Sequence, residues 1–418
     1  MTMKNFWYCT LLFFCLTTVS CSPGKEESSP DATGFITVSG PDLLLPSGEK
    51  FFIKGTNLGN WLNPEGYMFK FNKTNSGRFI NDMFCEMVGP DFTAEFWRAF
   101  KDNYITQADL RFIKKTGSNT VRLPFHYKLF TDEDYMGLTA NQDGFARVDS
   151  VVKWCREDGL YLILDMHDAP GGQTGDNIDD SYGYPWLFES ETSQKLYCDI
   201  WKKIAEYYKN EPIILGYELF NEPIAPYFEN MEELNGKLAY VYQLGVDAIR
   251  EVDNNHIILL GGSQWNGNFN PLRNRPFHDD KIMYTCHRYG GEPTAEAIRD
   301  FIQFRDSVNL PMYMGEIGHN TDEWMNSFCQ AMEENNIGWT FWPYKKMDGS
   351  SFLGITPPEN WKLVVDFSEA PRGTYKEIRD ARPDQQLARK AMTDFIEACR
   401  FENCVIQQNY IQALGLRP

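Results

Sequence analysis

The sequence predicts an α/β chain folded as a (β/α)8 TIM barrel, a single domain with extended βα loops. Three observations predict it. Eight short apolar runs are spread along the body of the chain, amphipathic helical patterns lie between them, and two of the runs end in a glutamate. Short runs alternating with helical segments mark βαβ units around a parallel sheet. Runs rich in Val, Ile, Leu, Phe and Tyr suit strands buried on both faces.

Ahead of the barrel lies a targeting segment. Lys4 is followed by an apolar stretch of 14 residues, Phe6 to Val19. That is too short to span a bilayer as a helix and has the length of a signal-peptide core. Thr18-Val19-Ser20-Cys21 puts small residues before a cysteine, as at a bacterial lipoprotein cleavage site. Residues 1–20 are therefore expected to be a signal peptide and Cys21 a lipidated residue. Ser22 to Pro30 is small and polar, so residues 21–32 read as a flexible tether. Lys25-Glu26-Glu27 resembles a surface-export signal of some Gram-negative lipoproteins. The expectation is an exported protein held to a bacterial membrane by its lipid alone, with the outer-membrane surface as a destination.

Residues 33–418 then supply the barrel. The strand candidates are Phe52–Asn57, Asn119–Leu123, Tyr161–Met166, Ile213–Phe220, Ile257–Leu260, Ile282–Cys286, Met312–Gly315 and Trp339–Trp342. Asp109–Lys115 is helical in pattern before the second run. Val148–Glu157, Thr192–Lys209, Met231–Val252, Thr294–Ser307 and Asp322–Asn335 follow later runs, and Ala388–Arg400 reads as a closing helix. Gly117, Gly159 and Gly338 stand where a left-handed helix terminus is common. A doubly wound open sheet would want a glycine-rich phosphate loop after its first strand, and Gly55-Thr56-Asn57-Leu58-Gly59 lacks that spacing.

Charge narrows the ligand. The net charge is −18 and no Lys/Arg cluster exceeds a short pair, so the basic footprint of a nucleic-acid groove is missing. Aromatic residues make up 15% of the chain. Rings not used in the core can stack on sugar faces. Seven cysteines remain in the body, and an odd number cannot all pair; Cys399 and Cys404 could do so in an oxidising compartment.

Barrel chemistry sits at the carboxyl ends of strands. The fourth run ends in Asn221-Glu222-Pro223 and the seventh in Gly315-Glu316-Ile317-Gly318. A single strand-end carboxylate is often only a helix cap. Two on separate strands can face each other across the mouth. One protonated and one ionised carboxyl, about 5–5.5 Å apart, make the pair that cleaves a glycosidic bond with retention.

Further motifs recur in order. They are Thr120-Val121-Arg122-Leu123-Pro124, Leu164-Asp165-Met166-His167-Asp168, His287-Arg288-Tyr289 and Trp342. With the two glutamates they resemble glycoside hydrolase family 5, the cellulase family of clan A. The resemblance implies a retaining β-glycosidase without cofactor or metal, with Glu222 as acid/base and Glu316 as nucleophile. It places Arg122 and Tyr289 beside the nucleophile, His167, Asn221 and His287 on the sugar, and Trp342 beneath it. These roles are physically sensible. The charge of Arg122 would keep Glu316 ionised, and Asn221 could donate to the sugar 2-hydroxyl. A zinc site on His167, His287 and Glu residues is disfavoured by the absence of H-E-x-x-H.

The segment Gly55 to Leu62 with Pro64-Glu65 is similar to the opening of that family's exo-β-1,3-glucanase branch, which implies a terminal-sugar contact for Glu65. His167-Asp168-Ala169-Pro170-Gly171-Gly172-Gln173 resembles the same branch. Asn60 departs from its usual Gly. Trp342-Pro343-Tyr344-Lys345 departs from its Trp-Lys pairing, so Tyr344 could replace Trp342 as platform. The favoured partner is a β-linked oligo- or polysaccharide, a β-glucan or β-glucoside first, with β-mannan open. The loop from Asp168 to Leu187 could wall the cleft, with Trp186 on a sugar or in its own small core; Trp265 has the same two readings. Other function classes are a surface glycan-binding protein on an inactive barrel and a transglycosylase with the same site.

Overall fold

Eight parallel strands close into a barrel in the computed structural model, which describes residues 34–137, 141–273 and 277–418. They are β1 (Lys54–Asn57), β2 (Thr120–His126), β3 (Tyr161–Asp168), β4 (Ile214–Glu218), β5 (Ile257–Gly261), β6 (Ile282–His287), β7 (Met312–Glu316) and β8 (Gly338–Phe341). Each pairs with its sequence neighbours, and β8 closes on β1 through Trp339↔Lys54, Thr340↔Gly55 and Phe341↔Thr56. The expected (β/α)8 architecture is what the chain adopts. Residues of β2 and β3 are buried throughout, as strands between a packed interior and a helical shell must be.

The helices fall where the sequence expects them, although Asn141–Asp158 begins ahead of the expected Val148 and Arg299–Val308 after the expected Thr294. They run Gln107–Lys115, Asn141–Asp158, Glu191–Tyr208, Met231–Arg250, Arg299–Val308 and Asp322–Glu334. A Thr106/Asp109 capping box starts the first of these. Gly117 (φ 93°) and Gly159 (φ 72°) adopt the expected left-handed conformation after their helices. Gly338 does not: it lies inside β8, and Asn336 (φ 56°) takes the left-handed position. Gly338 is needed for a different reason, since a Cβ there would come within 2.9 Å of Ile53.

Elements beyond the eight repeats surround the barrel. A three-stranded antiparallel sheet, Thr37–Ser39, Asp42–Leu44 and Lys50–Phe51, precedes β1. Helices Gly77–Val88 and Pro90–Asn103 fill the β1–β2 connection. After β8 come helices Trp361–Glu369, Tyr375–Ala381 and Gln385–Ala398, the last matching the expected closing helix. Trp361 stacks on Phe395 and Phe71, with centroids 4.9 and 6.2 Å apart, so the closing helices share an aromatic core outside the barrel. The chain ends with helix Gln408–Ala413, which buries Tyr410 and Ile411. Cys399 and Cys404 remain free thiols, each donating to backbone carbonyls near the end of the closing helix. The expected signal, the tether to residue 32 and the lipidation site Cys21 lie outside the described residues. Among the described residues, no helix is long and apolar enough to cross a membrane.

Candidate active site

Arg122 of β2 is fully buried and organises the barrel interior. Its Nε and Nη2 donate to the two oxygens of Glu218 on β4, at 2.9 and 2.7 Å. Nη2 also donates to Asn221 Oδ1 at 2.8 Å and lies 3.0 Å from Asp165. Nη1 donates to Glu316 Oε1 at 2.8 Å and to Asn57 Oδ1 at 3.1 Å. Burial opposes the guanidinium charge, but Asp165, Glu218 and Glu316 together drive its pKa well above the ordinary value. Asp165 is pushed up to about 7 by burial, against the pull of Arg122.

The two strand-end glutamates have unlike surroundings. Glu316 receives Arg122 on one oxygen and the Tyr289 hydroxyl on the other, at 2.8 and 2.7 Å, so both oxygens are held by donors. Glu222 is buried in a left-handed backbone conformation (φ 44°), which costs energy for a non-glycine residue. Burial pushes its pKa up to about 8, with Arg122 opposing and Glu218 and Asp176 adding. Its Oε1 lies 2.7 Å from His287 Nδ1. One oxygen from each glutamate and one His287 nitrogen fall within 4.8 Å of one another. A carboxyl whose pKa burial raises thus faces one whose two oxygens are met by Arg122 and Tyr289, with one oxygen of each within 4.8 Å. Among the described residues these three are also the group whose atoms converge enough to hold a cation. Glu316 is already met by a guanidinium and a phenol, so its oxygens are committed.

The histidines are neutral: burial lowers His167 to about 3 and His287 to about 4. His167 Nδ1 lies 2.7 Å from Asp165, and its Nε2 faces the Asn221 amide nitrogen at 3.2 Å. Trp342 stacks parallel to His167 at 5.2 Å and donates from Nε1 to Tyr67 at 2.7 Å. Gly59 permits this, because a Cβ there would sit 2.8 Å from the indole.

A cavity of about 390 Å³ opens over these groups. Glu65, His167, Asn221, Glu222, Tyr289, Glu316 and Trp342 line it, all anticipated from sequence. Arg122 lies beneath. His287 bonds to Glu222 Oε1 at 2.7 Å and lies 3.7 Å from Glu316 Oε2, between the two glutamates, but does not line the cavity. Glu65 is buried with Oε1 unpartnered, and burial, with Glu316 and Glu222 adding, raises its pKa well above normal. That unpartnered oxygen is available to a ligand hydroxyl.

Tyr67, Ile178 and His319 complete the lining and were not anticipated. They come from loops that converge only in three dimensions. Glu218, Asp165, Tyr313 and Asn57 were also missed as members of the buried network. Asp165 and Glu218, acidic residues within apolar strands, were the available signal. Tyr344 is not a platform: it is fully buried and donates to Asp109. Neither Trp186, packed on Tyr184, nor Trp265, edge-on to Tyr227, lines the cavity.

The family model described as Cellulase (glycosyl hydrolase family 5) matches residues 85–348, more than half of the chain. A beta-xylosidase of Phanerodontia chrysosporium is 29% identical over 77% of this chain and 73% of its own length. Endoglucanase C of Acetivibrio thermocellus is 27% identical over 63% of this chain and 90% of its own. In fold, the chain resembles the rutinosidase from Aspergillus niger with a TM-score of 0.57 and 18% identity, covering 71% of this chain and 90% of that one.

Proposed function

The chain belongs to glycoside hydrolase family 5 and is a retaining β-glycosidase, and from that premise we propose how and on what it acts. Glu316 attacks the anomeric carbon while Glu222 protonates the leaving oxygen. Water, activated by the same Glu222, then hydrolyses the glycosyl-enzyme. The observation that carries this assignment is the unlike environment of two carboxyls, one oxygen of each lying within 4.8 Å of the other. Arg122 and Tyr289 stabilise the nucleophile. His167, Asn221 and Glu65 bind hydroxyls, and Trp342 forms the apolar floor. An intact pair favours catalysis over mere glycan binding.

The substrate is a β-glucan or β-glucoside. The opening motif through Glu65, whose carboxyl faces the cavity, supports it. Glu316→Ala is expected to lower hydrolysis of an aryl β-glucoside by about 10⁴-fold with an unchanged thermal melt; near-normal turnover would overturn the assignment. Laminarin, mixed-linkage glucan, cellulose, mannan and xylan, with product sizes resolved, test the substrate. Monomer release marks exo action and an oligomer ladder endo action, while sugar-extended products mark transglycosylation.

We also propose that residues 1–20 are a lipoprotein signal, 21–32 a tether and 33–418 the catalytic domain, anchored through Cys21 at a bacterial membrane. Cys21→Ala should move the protein from the membrane to the soluble fraction; unchanged membrane association would refute the anchor.

A further inference from the structure

The turn after β5 is held in an unfavourable backbone. Gln264 (φ 50°, ψ 64°), Trp265 (φ 58°, ψ 48°) and Asn266 (φ 57°) are three successive non-glycine residues in the left-handed region. L-residues visit it singly and at a cost. The turn is tied down by Gln264 N–H donating to the Ile224 carbonyl, two residues beyond Glu222, at 3.0 Å. Its result is a fully buried Asn266 whose amide nitrogen lies 3.1 Å from His287 Nε2. Gly261 is shaped to this side chain, since a Cβ there would fall 1.9 Å from Asn266 Oδ1.

Burial keeps the His287 ring neutral, so it carries one N–H. An amide N–H donating to Nε2 makes that nitrogen the acceptor, which puts the ring proton on Nδ1. Nδ1–H then donates to Glu222 Oε1 at 2.7 Å. With Oε1 occupied as an acceptor, the proton that Glu222 delivers must reside on Oε2.

We propose that Asn266 is a positioning residue that selects the His287 tautomer and thereby directs the transferable proton of Glu222 to the oxygen facing the leaving group. This rests on the assignment of Glu222 as acid/base. The acid step moves the Oε2 proton to the leaving oxygen, with His287 keeping its own proton throughout. No motif named in the sequence contains Asn266, and it does not line the cavity.

Asn266→Asp is the discriminating variant, because it keeps the shape and replaces the donor with an acceptor. Nitrogen-15 NMR of histidine-labelled protein, with the His287 signal assigned through His287→Gln, reads the ring directly. The wild type should show Nδ1–H only, and N266D a proton on Nε2. In kinetics, N266D should lower kcat/KM at least about tenfold for a phenyl β-glucoside, whose leaving group needs a proton. For the 2,4-dinitrophenyl β-glucoside, which needs none, the change should stay within about threefold. An Nε2–H ring in the wild type overturns the proposal, as does an equal loss on both substrates with the tautomer unchanged. Glu222→Gln separates the two levels. If it does not lose phenyl while keeping dinitrophenyl cleavage, the role of Glu222 itself fails, whatever N266D does.

Discussion

Arg122 sits within hydrogen-bond distance of Glu218 and Glu316 and 3.0 Å from Asp165, all buried, so its charge is the common counter-ion of the site. Arg122→Met is expected to cost about 3–5 kcal/mol, because it leaves buried carboxylates without their cation. Urea unfolding should show the loss together with near-complete loss of turnover. Glu222 makes a prediction with a defined sign. As a general acid it must be protonated, so kcat/KM on a phenyl glycoside should fall as pH rises through about 8. Its folded pKa is raised from 4.5, so the folded state retains a proton that the unfolded state releases, and this group lowers stability as pH rises from about 4.5 to about 8. Glu222→Gln should therefore melt higher than wild type at pH 8 and no higher at pH 4. An identical melting difference at both values would contradict the burial account of its pKa.

At the scale of elements, β6 and β7 meet at Gly315. A Cβ there would fall 2.3 Å from Thr285 Oγ1 and 3.0 Å from His287 Nε2. Gly315→Ala should therefore displace His287 and overpack the pair, at about 1–3 kcal/mol. Activity should drop by far more than stability suggests, since about 1 Å of misplacement can cost ~10²-fold. Thermal melts beside kcat/KM would decide it. Strands such as Ile257–Gly261 were legible because burial on both faces writes an uninterrupted apolar run, whereas β1, Lys54–Asn57, was legible only through the apolar Phe52 and Ile53 before it. Helices Gly77–Val88 and Pro90–Asn103 fall outside the strand–helix repeat that the apolar runs mark. Yet Pro90 at the helix start and the buried Phe96, Trp97 and Phe100 were available signals. The β5 turn was illegible, as nothing in Gln264-Trp265-Asn266 marks a left-handed run.

On the scale of the molecule, the closing segments do more than extend the shell. Trp361 packs between Phe395 and Phe71 and donates to the Phe69 carbonyl at 3.0 Å, joining the β1 loop to the last helices. That loop also carries Glu65 and Tyr67 into the cavity. Trp361→Ala should cost about 3–5 kcal/mol through cavity formation. It should also raise KM, by loosening the Glu65–Tyr67 wall, while kcat changes less. A destabilised variant with unchanged KM would show that the aromatic core and the site are uncoupled. Nearby, the Lys345–Asp109 ion pair at 2.6 Å is fully buried, with Tyr344 also bonded to Asp109. This turns the chain after Trp342 away from the cavity and leaves Trp342 as its floor.

What the sequence alone determined is the barrel, the strand ends and the two glutamates on them. Local chemistry writes these: apolar runs for doubly buried strands, and a glutamate where two of the runs stop. Tertiary structure decided how unlike the surroundings of the two are. That depends on desolvation and on neighbours from other strands, Arg122, Tyr289 and His287, whose distances no spacing along the chain encodes. It also decided that His287 serves Glu222 through a strained turn, and that Tyr67, Ile178 and His319 share the cavity. Loops carry no periodic pattern, so their meeting places exist only once the barrel has closed.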